Sequence, residues 1–204
     1  MPSDVQVVLG ATGGVGQAIV QALAAQGAQV RAVNRSGRAL VPASVEVMAA
    51  DLTSRESTRA ACQGASVVYH CAGVPYDQWA TSLPVMLDNI IAAASATSAT
   101  LVYSDNTYMY TPTFQPLSED SPQEPVTRKG QLRKQLVETI LAAHAQGQIR
   151  ATIGRAPIFT VQGYVLQPWE DSSLARWCRA AVCPGLANSM CRTRWCSSRI
   201  SHMN

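Results

Sequence analysis

Gly10, Gly13 and Gly16 stand at every third position of Gly10-Ala-Thr-Gly-Gly-Val-Gly16. They lie between an apolar run, Val5 to Leu9, and a helical pattern from Gln17 to Ala25. Residues without a Cβ let the chain turn sharply, let the backbone approach a phosphate, and let a helix pack closely on a strand. The unpaired N–H groups and positive dipole end of the helix then face a diphosphate. A tight strand-to-helix turn would use the same glycines without a ligand, but their place between an N-terminal strand and an amphipathic helix points to dinucleotide binding. A second group, Asn34-Arg35-Ser36-Gly37-Arg38, follows the apolar run Gln29 to Val33. An acidic side chain there would bind a ribose 2′-hydroxyl, whereas the guanidinium of Arg35, beside Asn34, favours a 2′-phosphate through charge-assisted bonds. The expected cofactor is therefore NADP(H) in preference to NAD(H). Arg38 fits a solvated loop equally well.

The elements that must position these groups alternate along the chain. Gly27 suits the end of the first helix. Further strands are read at Val45–Met48, Ala65–His70, Thr100–Tyr103 and Ile149–Arg155, with helices at Thr53–Cys62, Leu83–Ala94 and Gly130–Ala145. Thr53 or Ser54 caps the second helix. This alternation predicts an α/β class, a Rossmann-like doubly wound parallel sheet with right-handed crossovers. A chain of 204 residues is one domain with a substantial core. Net charge is +3 with 14% charged residues, so there is no basic stripe for nucleic acid. The first residues lack a signal-peptide pattern and no 18-residue apolar run occurs, so no membrane insertion is expected and the cytoplasm is the expected location. Of six cysteines, Cys178, Cys183, Cys191 and Cys196 crowd the end, none in C-x-x-C spacing, and neither His144 nor His202 completes a zinc set. No metal site is expected. His70 reads as a packed strand-end histidine.

Gly10-Ala-Thr-Gly-Gly-Val-Gly16 resembles the cofactor loop of the NAD(P)-dependent epimerase/dehydratase family, the extended and atypical short-chain dehydrogenase/reductases. The likeness runs from about Val5 to Ala156. It implies that Gly10, Thr12, Gly13, Gly14, Val15 and Gly16 hold the diphosphate, that Asp51 and Leu52 lie beside the adenine, and that Cys71, Ala72 and Gly73 lie under the riboses. Asp51 would equally serve to cap a helix. The resemblance implies a catalytic hydroxyl after the fifth strand and a Tyr-x-x-x-Lys pair opening the helix near residue 130. Here those positions read Asn106, Lys129 and Arg133. Arg133 can lend charge to a ribose but cannot cycle a proton. Thr107, one residue from the hydroxyl position, Lys129, Tyr108 and Tyr110 are the remaining catalytic candidates, and the sequence does not set their orientations.

Beyond Ala156 the composition changes. Trp169, Trp177 and Trp195, three of four tryptophans, lie there with four of the six cysteines, and periodicity is lost. If each codon is begun on its third base, residues 156–164 permit Ser-Asp-Phe-Tyr-Gly-Pro-Gly-Val, and residues 189–202 permit a string containing Pro-His-Thr and Asp-Ile-Ala. Both resemble family segments. The chain is thus expected to comprise a dinucleotide-binding domain, 1–156, and an atypical tail, 157–204, out of frame, with the part that closes over substrate missing. The substrate is unreadable. The expected activity is hydride transfer at a hydroxyl or carbonyl carbon, the alternatives being a non-catalytic NADP(H) sensor or a non-functional truncated product.

Overall fold

The computed structural model describes residues 4–156 and 194–195. The elements are β1 (Val5–Leu9), α1 (Gly14–Ala25), β2 (Gln29–Asn34), β3 (Glu46–Ala49), α2 (Arg55–Ala61), β4 (Ala65–His70), a 3₁₀ turn (Tyr76–Gln78), α3 (Trp79–Thr97), β5 (Thr100–Asp105), α4 (Arg128–Ala145), β6 (Arg150–Arg155) and β7 (Arg194–Trp195). The sheet runs β3-β2-β1-β4-β5-β6-β7, and every pairing is parallel. The chain leaves β1 in one direction to build β2 and β3 and returns to the other side for β4. The carboxyl ends of β1 and β4 therefore diverge at a switch point, where open parallel sheets bind ligands.

Both faces of the sheet are covered, so its strands are apolar almost throughout. Val7 and Leu9 point to one face, where they join Met86, Leu87 and Ile90 of α3 and Leu136, Val137 and Ile140 of α4. Val8 points to the other, against Ile19, Val20 and Leu23 of α1. Each such fully buried side chain stabilises the fold by about 1.5–3 kcal/mol.

Several elements are longer than their sequence patterns. α1 begins at Gly14 instead of Gln17, because the glycines form its first turn. It ends as expected: Gly27 has φ +73° and its N–H donates to the Ala24 carbonyl. α3 starts at Trp79, with Pro84 in its second turn, since the indole N–H bonded to the Val74 carbonyl anchors the entry. β5 continues to Asp105 because Ser104 and Asp105 pair with Gly154 and Arg155 of β6. α2 is shorter than its pattern and is capped by Ser54, which accepts from the Ser57 N–H. The two-residue β7 was not expected from the sequence. The out-of-frame reading of 157–204 otherwise falls outside the described residues.

Candidate functional site

A cavity of about 470 Å³ opens at the switch point. Its wall combines Gly10, Thr12 and Gly13 after β1, Asn34 and Arg35 at the end of β2, Asp51 and Leu52 after β3, and Cys71, Ala72 and Gly73 after β4. The glycines divide into two kinds. A Cβ on Gly10, whose φ is +84°, would lie 2.5 Å from Ala72 backbone, and one on Gly16 would collide with the Gly10 carbonyl oxygen. Those two residues let strand, turn and helix close on one another. A Cβ on Gly13 would meet only the Gly10 carbonyl, at 3.5 Å, and one on Gly73 nothing within 4 Å. Both line the cavity, and the packing of the fold leaves room for a Cβ at either. Gly13 is also the N-cap of α1, with no side-chain cap and no acid in the first turn, which leaves that helix end suited to an anion.

Around this wall the side chains are committed to shaping it. The Asn34 amide oxygen accepts from the N–H groups of Ser36 and Gly37, both at 2.9 Å, so Asn34 folds the loop that carries Arg35. Asp51 accepts from the Thr53 hydroxyl and N–H, which, with the charge of Arg35, hold its carboxyl below the ordinary range.

Next to the cavity, the ends of β4, β5 and β6 meet α4 in a charged and aromatic cluster. Asp105 is buried between two guanidiniums: Arg133 Nη1 is 3.5 Å from one carboxylate oxygen and Arg155 Nε 3.6 Å from the other. Burial outweighs both cations and pushes the carboxyl up to about 6. Arg133 Nη1 also donates to the Tyr103 hydroxyl at 2.9 Å, a phenol that burial and Asp105 push up to about 12. His70 packs edge-on against Tyr103, and burial, then Arg133, brings it down to about 3, leaving it neutral. Toward the surface, Tyr76 stacks on Trp79 at 4.7 Å and 12°. Lys129 Nζ sits 3.5 Å above the Tyr76 ring and the Arg133 guanidinium 4.4 Å above the Trp79 ring.

The model of the NAD dependent epimerase/dehydratase family matches residues 6–177. The chain belongs to that family. The match runs past Ala156, where the likeness read from sequence ends. Among solved structures, MoeE5 in complex with UDP-glucose and NAD is 24% identical with a TM-score of 0.63, covering 76% of this chain and 53% of that one. UDP-glucose 4-epimerase from Brucella ovis in complex with NAD is 16% identical with a TM-score of 0.65, covering 74% and 51%. A short-chain dehydrogenase/reductase superfamily protein from Agrobacterium tumefaciens with bound NAD is 26% identical with a TM-score of 0.63, covering 74% and 48%. The chain thus spans about half the length of the solved structures it matches. No curated protein matches it by sequence.

Within this epimerase/dehydratase frame, the cofactor candidates and the catalytic candidates separate. Gly10, Thr12, Gly13, Asn34, Arg35, Asp51, Leu52, Cys71, Ala72 and Gly73 share one cavity, while Gly14, Val15 and Gly16 form the first turn of α1 and do not line it. Arg38 does not line it either. Asn106 is turned to structure, its side-chain oxygen accepting the Tyr108 N–H at 2.9 Å. Tyr110 is 4% exposed and its hydroxyl accepts from Arg155 at 2.8 Å, so it is not brought to the cavity. Thr107 lends its carbonyl to the Tyr110 N–H and does not line the cavity. Lys129 is partly buried, its ammonium over the Tyr76 ring. Sequence reasoning missed Gln78, Ser82 and Met86 on the cavity wall. Their i, i+4, i+8 spacing, one stripe running into α3, was the available signal. Among the described residues, no group of three or more metal-ligating side chains occurs and no helix is long and apolar enough to cross a membrane.

Proposed function

We propose that the chain binds NADP(H) in the switch-point cavity and exchanges hydride at the alcohol or carbonyl carbon of a small substrate. The observation that carries the reading is the pair Gly13 and Gly73, which line the cavity and where an added Cβ would meet no close contact with the fold. Gly10, Thr12, Gly13 and the uncapped start of α1 would hold the diphosphate, with Gly14, Val15 and Gly16 forming the helix turn behind them. Cys71, Ala72 and Gly73 would lie under the riboses, and Asp51 and Leu52 beside the adenine. Arg35 supports the 2′-phosphate: it lines the cavity, and the β2 end beside it offers Asn34, whose amide is already spent on its own loop. When bound, the dinucleotide supplies the two electrons that this chain's side chains cannot. Calorimetric titration with NADPH and NADH tests the proposal, and equal affinities would remove the NADP(H) preference.

A second reading, a non-catalytic sensor of the same dinucleotide, is favoured by one observation. The two cations standing at the family's acid-base positions, Lys129 and Arg133, are stacked on Tyr76 and Trp79. NADPH oxidation across a panel of aldehydes and ketones separates the readings, since a sensor binds without turnover.

A further inference from the structure

We infer that the cavity is a site for adenine nucleotides, which binds a dinucleotide through its adenosine diphosphate half and takes that half as a ligand in its own right. The inference rests on the dinucleotide reading above and parts from it over the nicotinamide half. With the diphosphate at Gly13 and the start of α1, a dinucleotide extends in two directions across the carboxyl edge of the sheet. In one direction the wall is complete. It takes Asn34 and Arg35 from the end of β2, and Asp51, Leu52 and Thr53 from the loop after β3. In the other direction the wall reaches the loop after β4 and one stripe of α3, and among the described residues none from β5, β6 or α4 lines it.

The first direction is braced from behind. The Asn89 amide of α3 donates to the carbonyls of Leu52 at 3.0 Å and Thr53 at 3.1 Å, and the Asp51 N–H donates to the Ser57 hydroxyl at 3.0 Å. Asn34 folds the loop that carries Arg35. Both loops of this wall are therefore held by the protein itself, which lowers the ordering cost of binding there.

In the second direction the polar side chains are engaged with one another. Asp105 lies between Arg133 and Arg155, Arg133 donates to the Tyr103 hydroxyl, and Arg155 to that of Tyr110. The Asn106 oxygen accepts the Tyr108 N–H. A ribose or carboxamide on that side gains hydrogen bonds only by breaking these, an exchange that adds little net affinity. A cavity of about 470 Å³ also falls toward the small end of ligand pockets, which run from roughly 300 to 1,000 Å³. A free adenine nucleotide thus competes for the cavity on nearly equal terms with the dinucleotide that contains it.

The test is calorimetric titration of the full chain with two pairs of probes, ADP against NAD⁺ and adenosine 2′,5′-bisphosphate against NADP⁺, with nicotinamide mononucleotide as the complementary half. Each adenine nucleotide should displace its dinucleotide and bind within about fivefold of its affinity. Nicotinamide mononucleotide at millimolar concentration should neither bind nor displace. A dinucleotide that binds more than about fivefold tighter than its adenine half in either pair, or binding of the nicotinamide half, overturns the inference while the dinucleotide reading stands. If the adenine nucleotides bind and neither dinucleotide does, the inference stands and the dinucleotide reading falls. If no probe binds, both fall. Asn89→Ala loosens the braced wall and should weaken ADP and NAD⁺ by the same factor, about fivefold. Unequal losses, or none, overturn the inference, and the wild-type series decides by itself if that variant does not fold.

Discussion

The two ends of the site are built from different materials. Around β1, β2 and β3 the cavity-facing surface is mostly backbone and small residues, and side chains such as Asn34 and Asp51 bend loops into shape. Around β5, β6 and α4 the surface is made of large charged and aromatic side chains that hold one another: Asp105 with Arg133 and Arg155, Tyr103 with Arg133, Tyr110 with Arg155, Tyr76 with Lys129. A wall of backbone tolerates little change in residue type where, as at Gly10 and Gly16, a Cβ would strike the turn. A side-chain network can be rewritten so long as its charges and hydrogen bonds still close. On the sequence resemblance, the epimerase/dehydratase pattern is expected to be kept at the first end and substituted at the second, at Asn106, Lys129 and Arg133.

The sharpest break of that contrast is at Gly13. Gly13→Val should cost at least about a hundredfold in dinucleotide affinity while thermal unfolding barely moves, because its Cβ meets only an ordinary contact at 3.5 Å. Retained affinity in calorimetry would show that the backbone there is not the cradle. At the other end, Gly130→Val should do the reverse. Its side chain would strike the Tyr108 carbonyl and the Pro125 ring, an overpacking cost of about 1–3 kcal/mol, visible as a lower denaturant midpoint.

Proton linkage probes the buried network. Asp105 is raised from 3.8 to about 6, so in that window the folded state keeps a proton that the unfolded chain has lost, and stability falls as pH rises. His70 is lowered from 6.5 to about 3, so the unfolded chain holds the extra proton and stability rises with pH. Between 3.8 and about 6 the two offset each other. Asp105→Asn should therefore unmask a rising slope of roughly 1 kcal/mol per pH unit, and His70→Asn a falling one. Denaturant unfolding across that range reads both. Slopes of the same sign in the two variants would mean that the groups are not buried as described. The smallest effect is expected at Arg35, which lines an open wall. Arg35→Ala should weaken NADPH about 5- to 10-fold and NADH little, and an equal loss for both would assign Arg35 to the loop alone.

Legibility followed the same division. β4 and the chain order of six parallel strands were readable because a strand buried on both faces is a short apolar run bounded by turn residues. Ten of the cavity residues were named from sequence: Gly10 and Gly13 by the glycine spacing, Asn34 and Arg35 by their place after β2, and Thr12, Asp51, Leu52, Cys71, Ala72 and Gly73 by the family resemblance. The ends of β5 and α3 were not, since the pairing of Asp105 with Arg155 and the anchoring of Trp79 on Val74 are contacts that a local pattern does not contain.

What the sequence by itself determined is the turn from β1 into α1: Gly10 and Gly16 act through a missing atom, and a missing atom can be read from residue type and spacing alone. What only the tertiary structure decided is the partner of every reactive side chain. Tyr76 and Tyr108 are 32 residues apart in the chain yet share a hydrogen bond, and Arg155 reaches back 45 residues to Tyr110. Such pairings arise when parallel strands set the ends of distant segments side by side. The contacts of Tyr108, Tyr110 and Lys129 were therefore open until β5, β6 and α4 were in place.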